Sequence, residues 1–514
     1  MNSMFKKKII HGLKISVIVS VDDNGGIAKN NKIPWSIKED SHFFHDVTTG
    51  FNTQNKINNG IIMGKNSWLN LPDKYRGLPN RQNIILSSSM NYLFADVLNT
   101  SKSPIILART LDHSIKIAEH LGLEHVYICG GNKIYEEVIK KYYIDNLYLT
   151  HISYNYHCDT FFVKNASQKI KNVHSNPITN IFLLKNKYHQ QSEIFLLTDT
   201  NTNIKRSVKF IKYCANKYQS KNNEESEYIK LLTKIINCGD KRETRNGTTY
   251  SLFGEELKFD LSHGYPLLTT KKISLRNIFH ELMFFIRGQT NTKILQKNGV
   301  RIWDQNTSRN FLDSVGLYHL CDGDMGELYG FQWRHFGEKY TGCNEKYRGF
   351  DQLMYCINLI LSEPFSRRIV MTTFNPSSAK NGCLFPCHGV FIQFYCKDSK
   401  LSCMVTQRSA DAFLGLPYNI ASYAMLVNMI CHVVNNKLPH DNKLMPGELI
   451  ISMGDVHLYE SHYSQAIRQI LRDPKEFPKL EIINTVSDIE KFEFSDIKLH
   501  NYVHYPNIKA AMIA

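Results

Sequence analysis

Residues 407–419 of this chain read Gln-Arg-Ser-Ala-Asp-Ala-Phe-Leu-Gly-Leu-Pro-Tyr-Asn, and residues 385–388, shortly before them, read Phe-Pro-Cys-His. A thiolate is the nucleophilic form of cysteine, so a catalytic cysteine needs a cation or a hydrogen-bonding histidine nearby to lower its pKa. The guanidinium of Arg408 can do this and can also bind a phosphate. A single cysteine is most often a small core residue. This pattern instead predicts that Cys387 is a nucleophile beside a phosphate site.

Two further arginines lie upstream, where residues 366–369 read Ser-Arg-Arg-Ile at the start of a predicted strand. A guanidinium presents a planar fork of donors that matches phosphate oxygens, although surface ion pairing is the usual role of any one arginine. Asn419 adds an amide that can both donate to and accept from a pyrimidine edge. The thiol, the arginines and this amide together predict a site for a phosphomonoester.

Length and composition predict a soluble protein of two domains. The 514 residues are too many for one ordinary core, and 42% of them are hydrophobic. We find no stretch near the roughly 18 apolar residues that a membrane helix needs, and no secretory pattern. The twelve cysteines lack a C-x-x-C pair, so we expect reduced thiols in the cytoplasm. Cys383, Cys387 and His388 have no second cluster to complete a zinc site, so we expect no metal.

The net charge of +15 favours anionic partners, either nucleic acid or small phosphorylated and carboxylated substrates. Charge alone does not choose between them, and a lysine-rich solvated surface explains it equally well. No ribonucleoprotein, zinc-finger or basic-zipper pattern accompanies the charge. We therefore expect neither nucleic acid nor membrane as a partner.

Short β-branched runs alternate with helical patterns over residues 1–200, which form the first predicted domain. This alternation indicates an α/β domain with crossover helices and a mixed, mostly parallel sheet. The predicted strands are 13–21, 61–63, 83–87, 105–107, 126–129 and 147–152, and the predicted helices are 111–121 and 132–141.

A short basic junction is predicted at 201–226, with a helix over 204–218. From Tyr228 the apolar residues follow helical spacing and open a second domain, which we assign to 227–514. The longer helical patterns in this domain are 273–288, 351–361 and 420–434.

The second domain resembles thymidylate synthase, whose fold is α+β. Beside the Cys387 block, the resemblance rests on the order and spacing of five stretches: 251–254 (Ser-Leu-Phe-Gly), 266–272 (Pro-Leu-Leu-Thr-Thr-Lys-Lys), 301–304 (Arg-Ile-Trp-Asp), 329–337 (Tyr-Gly-Phe-Gln-Trp-Arg-His-Phe-Gly) and the closing 508–514. It implies that Cys387 adds to C6 of dUMP and makes C5 a nucleophile toward the methylene carbon of 5,10-methylenetetrahydrofolate. A hydride then passes from the folate, leaving dTMP and dihydrofolate. Glu281 would organise proton transfers, and His388 is also expected among the catalytic residues.

The same resemblance implies the binding residues and a homodimer, because two of the arginines come from the partner subunit. Asn419 would contact the uracil, and His457 and Tyr459 the ribose. The expected dUMP site comprises Arg245, Arg367, Arg368, Gln407, Arg408, Ser409, Asp411, Asn419, His457 and Tyr459. The expected methylenetetrahydrofolate site comprises Trp303, Asn306 and Asp411. The loop before Tyr250 departs from the family pattern, so Arg242 stays open as the alternative to Arg245.

In the first domain, one acidic residue has a distinctive setting. Asp40, Phe43 and Phe44 lie at i, i+3 and i+4 and so share a helix face, where burial would raise the pKa of the carboxyl. An Asp near a helix start is more commonly a cap. The neighbouring stretches 33–40, 61–68, 78–87, 128–135 and 149–152 together resemble dihydrofolate reductase.

This second resemblance implies that Asp40 binds the pterin's 2-amino and N3 groups and promotes protonation at N5, with help from Thr150. Arg81 would pair with the substrate's α-carboxylate, and Phe44 would pack on its rings. NADPH would be the hydride donor. The expected NADPH site comprises Val19, Ile27, Lys65, Ser67, Ser87, Ser88, Gly130, Gly131 and Tyr135, with the glycine pair at a helix N-terminus.

The two resemblances predict a bifunctional dihydrofolate reductase-thymidylate synthase, in which one domain makes the dihydrofolate that the other reduces. Two alternatives remain at this point. One is a monofunctional thymidylate synthase whose first domain is an inactive scaffold, and the other is a basic RNA-binding regulator.

Overall fold

The structure is a computed structural model that describes residues 7–50, 58–72, 76–90, 105–162, 188–215 and 222–513, with the backbone alone at 188–198 and 214–215. Its contacts divide the chain into two compact units, Met1–Gln219 and Ser220–Ala514. Among the described residues, no helix is long and apolar enough to cross a membrane. Each unit is described by itself below.

The first unit is built on an eight-stranded sheet in the order β5-β4-β3-β6-β1-β7-β10-β9. Its strands are β1 (Lys14–Val21), β3 (Asn59–Gly64), β4 (Gln82–Leu86), β5 (Ile105–Ala108), β6 (His125–Ile128), β7 (Asn146–Ile152), β9 (Tyr188–Asp199) and β10 (Ile204–Ala215). The pairs from β5 to β7 are parallel, and those that join β10 to β7 and to β9 are antiparallel. The prediction of a mixed, mostly parallel sheet is therefore confirmed.

Four helices among the described residues accompany this sheet: α1 (Lys38–Thr49), α2 (Lys65–Leu69), α3 (Leu111–His120) and α4 (Asn132–Lys141). A two-stranded ladder, β2 (Gly26–Ala28) with β8 (Thr160–Phe161), lies outside the sheet. The apolar runs of the strands are buried because parallel strands have both faces covered, as at Val17, Ile62 and Val126. The predicted strands and helices before residue 200 are all present.

The prediction of a helix at 204–218 was wrong. Residues 204–215 form strand β10, and 216–218 lie outside the described residues. Along β10, Phe210 pairs with Thr150 of β7, and both Val208 and Phe210 are buried while Lys209 between them is less so. That alternation has the period of a strand, and the long-range pairing with β7 overrides the local helical pattern.

The second unit contains a six-stranded sheet in the order β11-β12-β16-β15-β14-β13. Its strands are β11 (Asp240–Thr244), β12 (Gly247–Asp260), β13 (Val370–Met371), β14 (Phe391–Lys397), β15 (Lys400–Asp411) and β16 (Met445–Tyr459), and β17 (Lys479–Ile482) pairs separately with β18 (Ile497–His500). Within the sheet only β15 and β16 run parallel. Helices and a largely antiparallel sheet make this an α+β unit.

The helices of the second unit are α5 (Asn223–Cys238), α6 (Leu275–Ile286), α7 (Lys293–Lys297), α8 (Arg309–Ser314), α9 (Gly330–His335), α10 (Gln352–Ser362), α11 (Gly415–Asn435) and α12 (Tyr463–Ile470). Single 3-10 turns lie at 440–442, 460–462, 489–491 and 494–496. The predicted helices at 273–288, 351–361 and 420–434 match α6, α10 and α11. Ser274 caps α6 by accepting a hydrogen bond from the backbone N–H of Asn277, and one turn further on this helix carries Glu281.

Candidate active sites

The thiol of Cys387 lies 3.0 Å from the hydroxyl oxygen of Tyr329. Tyr329 precedes α9 with a positive φ of 42°, which turns its backbone sharply at this point. Its ring stacks on the imidazole of His388 at 4.3 Å between ring centres. A phenol is therefore one of the polar groups in contact with the sulfur.

Burial raises the pKa of the Cys387 thiol, and Tyr329 and the Arg408 charge offset that effect only in part. The expectation of a lowered pKa is thus wrong for the single chain. The guanidinium of Arg408 is also occupied structurally, because it donates to the carbonyl oxygens of Pro386 at 2.7 Å and Phe385 at 2.9 Å. Arg408 therefore fastens the cysteine loop to β15.

His388 does not act as a base toward Cys387 in this arrangement. Its Nδ1 lies 2.9 Å from the hydroxyl of Tyr423, and burial lowers its pKa to about 3. The ring is consequently neutral at ordinary pH. It supports Tyr329 by stacking and holds Tyr423 by a hydrogen bond.

Glu281 is a buried carboxyl with one described side-chain donor. The indole Nε1 of Trp303 donates to its Oε1 at 2.8 Å. Burial raises the pKa of Glu281 to about 7, and the indole bond lowers it only in part. A carboxyl of that pKa can both release and take up a proton near neutrality.

Polar groups at the end of β15 and the start of α11 are brought together near Cys387. The backbone N–H of Ser409 is 3.4 Å from the carbonyl of Cys387, and the amide of Asn419 donates to the amide oxygen of Gln407 at 3.3 Å. Gln407 is fully buried, and its own amide nitrogen has no partner among the described residues. The carboxylate of Asp411 accepts from the backbone N–H groups of Phe413 and Leu414.

The end of β16 carries a second polar group of the site. The Nδ1 of His457 lies 2.9 Å from the carboxylate of Asp455, whose other oxygen is 3.6 Å from Arg242. This leaves the Nε2 of His457 for another partner. Arg245 lies in the turn between β11 and β12, close enough to Tyr459 to influence its pKa, and forms no ion pair with a described residue.

Three predicted residues lie apart from this cluster or show no contact with it. Arg367 and Arg368 are exposed just before β13, and their guanidiniums form no ion pair with described residues. Asn306 is buried and lies three residues after Trp303 in the chain. The structure therefore brings together Cys387, His388, Gln407, Arg408, Ser409 and Asn419, and leaves the two adjacent arginines outside.

In the first unit, the carboxylate of Asp40 accepts hydrogen bonds from the Ser20 hydroxyl, 2.7 Å from each of its oxygens. Thr150, which pairs with Ser20 across β1 and β7, and Trp35 supply further polar contacts. Burial nevertheless raises the pKa of Asp40 above its ordinary value. The Asp40 carboxyl and Thr150 are therefore neighbours in one polar cluster.

Arg81 is only 1% exposed. Its Nη1 donates to the hydroxyl of Thr48 and its Nε donates to the carbonyl of Pro79 at 3.0 Å, while Phe44 packs against its guanidinium at 5.9 Å. These contacts fix the guanidinium beside α1. Arg81 and Phe44 are therefore neighbours, as their predicted roles at one ligand require.

A glycine pair forms the turn between β6 and α4, where the peptide bond Gly130-Gly131 is cis. A Cβ at Gly130 would lie 3.2 Å from the Ser67 hydroxyl and 3.5 Å from the Tyr135 hydroxyl, so a side chain would fill this narrow space. Tyr135 itself donates to the carbonyl of Ile18 at 2.8 Å. The turn offers backbone groups and the start of α4 to a ligand phosphate.

The remaining predicted NADPH residues come from several elements of the first unit. Val19 is buried in β1, Ile27 lies in β2, and Lys65 is the first residue of α2. Ser87 is buried after β4, and Ser88 is exposed.

Comparisons with known proteins cover both units. Residues 14–196 match the family model described as dihydrofolate reductase, and residues 226–514 match the one described as thymidylate synthase. A bifunctional dihydrofolate reductase-thymidylate synthase of Arabidopsis thaliana is 36% identical over 96% of this chain and 88% of the relative. Its counterpart in Glycine max is 36% identical over 95% and 92%, and that of Plasmodium chabaudi is 35% identical over 91% and 85%.

The chain belongs to the bifunctional dihydrofolate reductase-thymidylate synthase family. It is an enzyme that combines an NADPH-dependent oxidoreductase with a folate-dependent methyltransferase. Both resemblances inferred from the motifs are thus confirmed. The scaffold and RNA-regulator alternatives have no support from these comparisons.

Sequence patterns missed three side chains in this bifunctional reductase-synthase. Tyr329 lies in a motif of the synthase, but its spacing predicted no role for it, although its hydroxyl contacts Cys387. Ser20, which donates to Asp40, and Arg109, whose Nη1 donates to the carbonyls of Ser87 and Met90, lie outside the predicted sites. Each contact joins residues that are well separated in the sequence, so no local motif reveals it. For Arg109, the one available signal was its positive charge, which suits a phosphate site near the predicted Ser87.

Proposed function

We propose that Cys387 is the nucleophile that activates dUMP for methylation in the synthase unit. Its sulfur would form a bond to C6 of the uracil, which makes C5 electron-rich, and would leave again when dTMP forms. When bound, methylenetetrahydrofolate supplies the one-carbon unit and a hydride and departs as dihydrofolate. The observation that carries this proposal is the 3.0 Å contact between the Cys387 sulfur and Tyr329, because a phenol can donate to a forming thiolate.

Glu281 would transfer protons in this reaction, and Trp303 would orient its carboxyl. The pKa of Glu281, raised to about 7 by burial, lets its carboxyl deliver a proton to the pyrimidine and recover it. The indole of Trp303 holds that carboxyl in one orientation. Trp303, Asn306 and Asp411 would contact the folate. His388 stays neutral and positions Tyr329.

The phosphate and sugar of dUMP would be bound by side chains from two loops and a strand end. Arg408 and Ser409 would contact the phosphate, His457 and Tyr459 the ribose, and Asn419 with Gln407 the uracil. The buried amide nitrogen of Gln407 supports this, since it has no partner among the described residues and a buried donor needs an acceptor. Arg245 is preferred to Arg242 because Arg242 already pairs with Asp455.

We propose that the protein is a homodimer, with Arg367 and Arg368 each completing the partner's phosphate site. Their guanidiniums are exposed and form no ion pair with a described residue, so they can contact a partner subunit. The exposed face of the six-stranded sheet supports the same assembly: Phe391, Tyr395 and Met404 are 40%, 60% and 37% exposed. An open recess of about 530 Å³ lies on this face. Apolar side chains in such a patch are typical of subunit contacts.

In the reductase unit, Asp40 and Thr150 would bind the pterin, and Asp40 would promote protonation at N5. Arg81 would hold the substrate's carboxylate, with Phe44 against its rings. The turn at Gly130-Gly131 fits a dinucleotide, because a Cβ at Gly130 would lie 3.2 Å from the Ser67 hydroxyl and would narrow the space in which a phosphate can approach the backbone. NADPH would be held by this turn with Val19, Ile27, Lys65, Ser67, Ser87, Ser88 and Tyr135, and when bound it supplies the hydride.

We further propose that the reductase domain comprises residues 1–200 together with strand β10, that the synthase domain comprises residues 227–514, and that the protein is cytoplasmic. The strand β10 pairs with β7 of the reductase and so belongs to that unit. The described cysteines are free thiols, as a reducing compartment requires. In that compartment the reductase would recycle the dihydrofolate that the synthase releases.

One experiment tests both sites together. The protein is given dUMP, methylenetetrahydrofolate and NADPH, and both dTMP formation and NADPH oxidation are followed. Cys387→Ser should stop dTMP formation and leave the reduction of added dihydrofolate intact, whereas Asp40→Asn should do the converse. In each variant, the activity that is kept shows that the unit without the substitution is folded. Loss of both activities in either well-folded variant contradicts the assignment of two separate sites.

A further inference from the structure

Ser20 lies in β1 and points its hydroxyl at the carboxylate of Asp40. The hydroxyl oxygen is 2.7 Å from Oδ1 and 2.7 Å from Oδ2. An oxygen equidistant from both carboxylate oxygens lies on the plane that bisects the group, so the one hydroxyl proton is shared between them. This contact joins the central strand of the sheet to the first helix.

We propose that Ser20 is a positioning residue of the reductase reaction, whose hydroxyl orients the Asp40 carboxylate and stabilises its charged form. This inference rests on the role proposed for Asp40. It goes further because Ser20 lies outside the predicted site. Its hydroxyl would set the pH range in which the reductase works.

The surroundings of Asp40 leave this control to hydrogen bonds. The side chains that influence its pKa are those of Ser20 on β1, Thr150 on β7 and Trp35 in the loop before α1, and no charged side chain among the described residues contributes. Burial raises the pKa, and Ser20 is the largest opposing influence. Removing one hydroxyl therefore changes the balance without disturbing any ion pair.

The direction of the effect follows from this balance. Asp40 promotes protonation of the substrate, so the reductase rate falls as its carboxyl loses its proton with rising pH. Ser20 donates to the carboxylate and so favours the deprotonated form. Without the hydroxyl the pKa of Asp40 rises, and the falling limb of the pH profile should move to higher pH by about one unit.

The test compares kcat/KM for dihydrofolate against pH in the full-length protein and in Ser20→Ala. Ser20→Thr keeps the hydroxyl and should return the limb to its original place. Ser16→Ala is the matched control, because Ser16 lies on the same strand and its hydroxyl faces His125 instead. Thymidylate synthase activity of each variant reports that the rest of the chain is intact.

A limb that stays in place in Ser20→Ala overturns the proposal, as does a uniform loss of rate at every pH, which indicates a purely structural role. If Ser20→Ala does not fold, the isosteric pair Ser20→Val and Ser20→Thr gives the same comparison, and equal profiles for that pair overturn it. Asp40→Asn separates the two claims. Full reductase activity in Asp40→Asn contradicts the role of Asp40, whereas an unmoved limb with inactive Asp40→Asn contradicts only the role of Ser20.

Discussion

The indole of Trp303 is hydrogen bonded to the buried carboxyl of Glu281, at 2.8 Å from Nε1 to Oε1. This bond favours the charged form of a group whose pKa burial has raised to about 7. The carboxyl that we propose for proton transfer in the synthase therefore has a pKa that burial raises and that the Trp303 indole lowers in part.

Trp303→Phe should move the Glu281-dependent limb of the synthase pH profile to higher pH, because the carboxylate loses its donor and its pKa rises further. The shift expected for one hydrogen bond to a charged group is about one unit. The measurement is kcat/KM for dUMP between pH 5 and 9. Trp333→Phe is the control, since the indole nitrogen of Trp333 has no partner among the described residues. Equal shifts in both variants contradict the prediction.

Glu281→Gln should change the pH dependence of stability of the synthase unit. The folded pKa of Glu281 is above its ordinary value, so its favourable contribution is complete at low pH and is lost as pH rises through about 7. Relative to the glutamine variant, the natural protein should lose on the order of 3 kcal/mol between pH 5 and 8. Urea unfolding at the two pH values measures this. Glu345→Gln, at an exposed glutamate, should show no such difference.

Arg245→Ala should raise the KM for dUMP by roughly 10-fold or more, the value of a charge-assisted hydrogen bond to phosphate. Arg242→Ala should change it less, because Arg242 is committed to Asp455 at 3.6 Å. Steady-state kinetics of the two variants decide between the arginines. The reverse order of effects assigns the phosphate to Arg242.

A charge on the exposed face of the six-stranded sheet should dissociate the homodimer that we propose. Tyr395→Arg would place an arginine within the apolar patch, where burial of an unpaired charge is strongly unfavourable. Sedimentation velocity should show monomers, and synthase activity should fall while reductase activity is kept. Tyr318→Arg, at another exposed tyrosine, should leave the assembly unchanged. A dimeric Tyr395→Arg argues against this face as the interface.

Local patterns were sufficient for much of the fold. The buried runs of β1 and β6 have the composition of parallel strands, and α6 and α11 have clear helical spacing. Residues 204–215, which include three lysines and one arginine, were predicted to be helical within a basic junction. Only the pairing of β10 with β7, more than fifty residues earlier in the chain, makes a strand the stable choice.

The candidate sites were predictable where a motif keeps its residues together, as around Cys387 and Asn419. Tyr329 and Ser20 were not, because their roles arise from contacts across 58 and 20 residues of sequence. The pKa of Cys387 was also misjudged. Its neighbouring arginine was visible in the sequence, whereas the burial that outweighs that charge was not.

The hydroxyl of Ser20 also matters for inhibitor selectivity. A compound whose paired N–H donors bind the Asp40 carboxylate must share that carboxylate with Ser20, which is 2.7 Å from both of its oxygens. An added acceptor atom beside those donors would accept a hydrogen bond from the Ser20 hydroxyl. Ser20 would then bind the compound and no longer compete with it for the carboxylate. Such a compound would discriminate this reductase from any enzyme whose strand carries an apolar residue at the equivalent position.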